Sequence, residues 1–78
     1  SFLMQLFIKG LDGKTLVFKV PESATVDDLM DKIKAKLNIP PDRQQIIFSG
    51  SLLKRGYWLS DYKIKNDSLL HMVPHLRG

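Results

Sequence analysis

Met4-Gln5-Leu6-Phe7-Ile8-Lys9-Gly10-Leu11-Asp12-Gly13-Lys14-Thr15-Leu16-Val17-Phe18-Lys19-Val20-Pro21 is the stretch that decides the fold. Met4, Leu6 and Ile8 alternate with other residues at the period of a half-buried strand. Leu11-Asp12-Gly13-Lys14 then reads as a hairpin connection, since Asp and Gly tolerate the positive φ of tight turns. Beyond it Leu16, Phe18 and Val20 repeat the inward pattern, with Val17 and Lys19 facing out. Pro21 ends the strand by removing a ladder donor. The stretch is a hairpin with one wet face.

The next segment supplies what covers the dry face. Thr25 is a good N-cap, and Asp27 and Asp28 suit the positive end of a helix dipole, so a helix starts near Val26. Asp28 stands where a capping box prefers Glu. Val26, Leu29, Ile33 and Leu37 fall on one side of that helix, and Lys32, Lys34 and Lys36 crowd its last turns. Asn38 can take the left-handed stop before Pro40-Pro41. A third strand follows from Gln44 to Phe48, a turn at Ser49-Gly50, a short strand around Leu52-Leu53 and a helical turn at Leu59-Ser60-Asp61-Tyr62. Leu69 to Val73 is the last strand, opening after Asn66-Asp67-Ser68. The expected architecture is α+β: ββαββ order, a mixed sheet, one helix packed on one face, a short extra strand and a short helical turn.

Composition limits the function classes. At 78 residues the chain is one domain, burying about 60% of its unfolded surface, with no room for a deep cleft beside its core. It contains no cysteine, which removes disulfides, thiolate zinc sites and thiol nucleophiles and fits a reducing compartment. No apolar run approaches a membrane span, and no signal-peptide pattern opens the chain. The expectation is a soluble monomer, cytoplasmic or nuclear, without membrane contact. A net charge of +4 could suggest nucleic acid, but the cations are scattered among Asp27, Asp28, Asp31, Asp42, Asp61 and Asp67. A solvated mixed surface accounts for that distribution. No nucleophile with a base, metal cluster or phosphate loop is visible, and Gly10, Gly13, Gly50 and Gly56 all read as turn residues. Neither catalysis nor a cofactor nor a small-molecule substrate is expected. His71 and His75, four apart on an extended strand, lie about 13 Å from each other and read as surface residues, not metal ligands.

Some apolar residues remain once the core is filled. If Leu70 and Met72 point inward, Leu69, His71 and Val73 point outward, and Ile46 and Ile47 must face opposite ways. Leu11 at the hairpin tip joins these stranded aliphatics. Clustered exposed aliphatics mark partner surfaces, whereas single ones are ordinary. Pattern alone leaves both readings open. Phe7, Val17 and Leu69 also point outward on strands that can neighbour one another, giving a second candidate apolar patch. Near Leu52, Trp58 reads as extra core folded over the Leu59 turn, and Tyr57 as exposed.

Met4-Gln5, Phe7, Lys9, Gly13-Lys14-Thr15, Ile39-Pro40-Pro41-Asp42, Ile47-Phe48, Gly50, Leu59-Ser60-Asp61-Tyr62, Leu70-His71, Val73 and Leu76-Arg77-Gly78 resemble ubiquitin. The resemblance runs from Met4 to Gly78 without apparent insertion or deletion. It implies a ubiquitin-like β-grasp domain over 4–78, with residues 1–3 a linker or tag remnant. It also implies a recognition patch of Leu11, Ile47, Gly50, His71 and Val73. Such a patch, burying roughly 100 to 200 Å² at about 25 cal/mol per Å², gives only a few kcal/mol before association entropy is subtracted, so affinity should be weak. The implied partners are ubiquitin-binding modules presenting a short apolar helix or small zinc fold, or proteasomal receptors.

Departures from the family pattern bear on conjugation. Lys9, Lys14, Lys32 and Lys36 match ubiquitin's chain-forming positions, while Met30, Ser51 and Asn66 stand where three others would be. Gln45 and His75 replace arginines, and Pro74 stiffens the segment before the tail. Leu76, Arg77 and Gly78 match a conjugation tail with one glycine where conjugatable members show two, a shift of about 3.3 to 3.6 Å in the carboxylate. Together with Ser1-Phe2-Leu3 ahead of Met4, this favours a non-covalent interaction domain of a larger protein. The alternative is a covalent modifier handled by ubiquitin-type activating and conjugating enzymes.

Overall fold

The computed structural model describes residues 2–74. The hairpin forms as its alternation requires, from β1 (Leu3–Lys9) and β2 (Thr15–Pro21), paired antiparallel with Phe7 opposite Val17. Its turn is closed by Gly10 N–H to the Lys14 carbonyl at 2.8 Å and Gly13 N–H to the Gly10 carbonyl at 3.0 Å. Asp12 Oδ1 accepts from Lys14 N–H, and Gly13 sits at φ 82°, a conformation that favours glycine.

Helix α1 (Val26–Leu37) begins and ends where its caps dictate. Thr25 Oγ1 accepts from Asp28 N–H at 3.1 Å, and Asp28 Oδ2 accepts from Thr25 N–H at 3.0 Å. Aspartate therefore closes the reciprocal box in place of glutamate. Asn38 takes the left-handed conformation and donates to the Lys34 carbonyl. Met30 joins Val26, Leu29 and Ile33 on the buried face, while Leu37 is half-buried at the rim.

The remaining strands are β3 (Gln45–Phe48), β4 (Ser51–Leu52) and β5 (Ser68–Val73), with 3-10 turns at Pro41–Arg43 and Leu59–Tyr62. The Pro41–Arg43 turn is absent from the sequence reading. Gln44 is buried just before β3 rather than within it, and its Nε2 donates to the Met30 and Ile39 carbonyls, both at 2.8 Å. One amide side chain thus ties the helix to the loop that follows it.

The sheet has five strands in the order β2-β1-β5-β3-β4, with β1 and β5 parallel and the other pairs antiparallel. Met4, Leu6, Ile8, Phe18, Val20, Ile46, Leu70 and Met72 form one core with the helix stripe and with Leu53, Leu59 and Ile64. Everything on the opposite side of the sheet is left without a covering layer among the described residues.

Candidate interaction surface

Strand register determines which outward side chains become neighbours. Lys9 pairs with His71 across β1 and β5, His71 with Ile47 across β5 and β3, and Ile47 with Leu52 across β3 and β4. Directly opposed residues on one sheet face lie within side-chain reach. The row Lys9, His71, Ile47, Leu52 therefore crosses most of the open face. Val73 pairs with Gln45 one alternation further along.

Burial agrees with that placement. Ile46 is fully buried and Ile47 half-buried, which resolves which of the two isoleucines faces out. His71 is exposed, Val73 half-buried and Leu52 42% exposed. Leu52 was missed as a member of this set; the signal lay in the two-residue turn at Ser49-Gly50, which fixes it opposite Ile47. Gly50 sits in that turn at φ 81°. Leu11 is 57% exposed on the hairpin turn, where it lines the rim of an apolar cavity of about 260 Å³ with Leu16, Leu37, Ile39 and Met72.

The second set forms a row of its own. Phe7 pairs with Val17 on one side and with Leu69 on the other. Val17 is 41% and Leu69 47% exposed, and Phe7 between them is half-buried. Phe7 and Leu69 are each two residues before Lys9 and His71 on the same strands, so the two rows are adjacent on one face. The surface is one face on which the apolar rows meet, with Lys9 and His71 between them and Gln5, Lys19 and Gln45 at their margins.

The aromatic pair behaves differently from the sequence reading in one member. Tyr57 is exposed, its ring 6.2 Å from that of Tyr62 in an edge-on contact. Trp58, expected as extra core, is 53% exposed. Its backbone N–H donates to Asp61 Oδ2 at 2.9 Å, and its backbone bridges Thr25, which fixes the segment. The adjacent Leu59 takes the inward position and is fully buried, leaving Trp58 directed away from the core.

One electrostatic link holds the helix start to this region. Asp27 Oδ1 accepts from Arg55 Nε at 2.9 Å and its Oδ2 accepts from Gly56 N–H at 2.8 Å. The Arg55 hydrogen bond, then the Gly56 amide, hold the Asp27 carboxyl below the usual carboxylate range. Among the described residues no group of metal-ligating side chains comes together, and no helix is long and apolar enough to cross a membrane. His75 and the possible conjugation tail Leu76, Arg77 and Gly78 lie outside the described residues.

Comparison with known proteins agrees with this geometry. The ubiquitin family profile matches residues 6–77. Ubiquitin-like protein 4A of Homo sapiens is 40% identical over 70 residues, covering 90% of this chain and 45% of that protein. The protein of the same name from Oryctolagus cuniculus matches to the same extent, and that from Rhinolophus ferrumequinum is 39% identical with 44% of its length covered. The chain thus spans less than half the length of these relatives. Profile match, β-grasp strand order and identity lead to one conclusion: the chain belongs to the ubiquitin family.

Proposed function

We propose that this domain is a non-catalytic protein-interaction module of a longer protein, in the cytoplasm or nucleus. It would bind ubiquitin receptors or a private partner through Leu11, Ile47, Gly50, His71 and Val73. The observation that carries this reading is the register that seats Ile47 between His71 and Leu52 on an uncovered sheet face. The greater length of the relatives supports reading the domain as one module of several. A partner helix with an apolar stripe fits a shallow face of this kind, because it can lay i, i+3 and i+4 side chains over Ile47, Leu52 and Val73. Leu52 widens the apolar area over that of the implied patch alone.

Calorimetric titration against a panel of ubiquitin-binding modules and proteasomal receptor domains tests the reading. Ile47→Ala removes part of the central anchor and should weaken binding about tenfold, equivalent to roughly 1.4 kcal/mol, without changing the melting temperature beyond a few degrees. Binding by the Ile47→Ala protein equal to that of the parent, across every partner found, contradicts it.

A further inference from the structure

The outward row does not stop at Leu52. Leu53 N–H donates to the Ile46 carbonyl at 2.8 Å, so strand geometry continues one residue past β4. Leu53 is buried, and the period of two therefore turns Lys54 to the same side as Leu52. The backbone N–H of Lys54 in turn donates to the Tyr62 hydroxyl at 2.9 Å. The Tyr62 ring meets that of Tyr57, 6.2 Å away at an interplanar angle of 66°. Ile47, Leu52, Lys54, Tyr62 and Tyr57 are thus successive neighbours leading off the sheet beyond β4.

The far end of that run is held in place yet half open to solvent. Tyr57 is 51% exposed although its ring rests on Tyr62, and its carbonyl accepts from Val26 N–H at 2.9 Å. An aromatic side chain fixed in this way has little freedom left to lose on binding, which suits it to anchor an interface. Charge adds a second requirement. The carboxylates of this region are engaged, Asp27 by Arg55 and the Gly56 N–H, Asp61 by the backbone N–H of Trp58. Among the described residues Lys54 is exposed and makes no ion pair, so an apolar ring stands beside an unneutralised cation. Length matters as well. The row from Lys9 on β1 to Leu52 on β4 spans three strand spacings, about 14 Å, which a helix of about three turns covers. Reaching Tyr57 takes about one turn more.

We propose that the partner of the Ile47 face is an amphipathic helix of about four turns whose last turn lies beyond β4, with an aliphatic side chain on the Tyr57 ring and a carboxylate on Lys54. Resting on the Ile47 reading, this extension adds to it the residue that selects the partner. Shorter helices bind through the row alone, and Tyr57 favours those long enough to reach it.

The test titrates the 78-residue chain calorimetrically with synthetic helical peptides that share one leucine stripe. One has about three turns, and the other adds a fourth turn carrying leucine and glutamate. The longer peptide should bind about tenfold more tightly than the shorter. Tyr57→Ala should remove most of that gain and leave the affinity for the shorter peptide unchanged, which also shows that the variant is folded. Lys54→Ala, or lysine in place of the peptide's glutamate, should remove about threefold of the gain. Trp58→Ala is the control, because the Trp58 backbone pairs with Thr25 beside the helix start, and it should bind both peptides like the parent. Equal affinity of the two peptides, a gain that survives Tyr57→Ala, or an equal loss of that gain in Trp58→Ala overturns the proposal; the Ile47 reading stands in each case if Ile47→Ala weakens both peptides. If Ile47→Ala changes neither affinity, or neither peptide binds, the Ile47 reading itself fails and the extension with it.

Discussion

At the scale of single residues, the turn glycines and one carboxylate carry testable weight. Gly50 holds φ 81°, and a Cβ placed there meets no atom within 4 Å, so the cost of Gly50→Ala is backbone strain alone. Thermal unfolding should show a loss of about 1 kcal/mol. Asp27 works through charge. Its folded-state pKa is depressed by Arg55 and the Gly56 amide, so its stabilisation is present above the unfolded value of about 4 and is lost as pH falls through the lowered folded value. Asp27→Asn should therefore unfold more readily than the parent at neutral pH, with the gap narrowing below about pH 4 in parallel melts. Legibility at this scale was mixed. The outward set Leu69, His71 and Val73 follows from a period of two, which needs no tertiary knowledge. Trp58 did not follow, because whether an aromatic beside a helical turn packs inward depends on Leu59 already filling that position.

Among elements, the helix and hairpin are set by local signals, and the loops by distant ones. Thr25, Asp28 and Asn38 place both helix ends from residues within one turn. The Pro41–Arg43 turn is closed by local bonds from Arg43 and Gln44 N–H to the Pro40 and Pro41 carbonyls, with Pro41 at its first position, whereas the role of the Gln44 side chain rests on α1, to which no local pattern points. Gln44 bonds Met30 and Ile39 carbonyls on either side of the helix end, one of them fourteen residues away in sequence. Its Oε1 is buried and accepts no hydrogen bond among the described residues, so the side chain acts as a donor only. Gln44→Ala removes the amide donor from the Ile39 carbonyl and the second bond on the Met30 carbonyl, which keeps its helical one, and should cost about 1 to 2 kcal/mol in denaturant unfolding, with faster amide exchange at the C-terminal end of α1. A second consequence of element order concerns the open face. Because β5 inserts between β1 and β3, Phe7 and Ile47 rows meet on one surface, a neighbourhood that depends on the parallel β1/β5 pairing and not on sequence spacing.

For the whole molecule, one helix covers one side of the sheet and leaves the other to solvent, and the uncovered side carries apolar residues among its polar ones. Clustered exposed apolar side chains of this kind on a small domain are a mark of partner surfaces. The fold and family were legible from the ββαββ order and the motif residues. The meeting of the apolar rows was not, since it needed the register of β3 against β4 and β5. The central claim is that this face is the recognition surface. The most direct measurement is an amide chemical-shift map of the labelled domain titrated with a ubiquitin-binding helical module: the account expects the largest shifts at Leu11, Ile47, Gly50, Leu52, His71 and Val73. Saturable binding that leaves those residues unshifted while perturbing the α1 side of the molecule contradicts it.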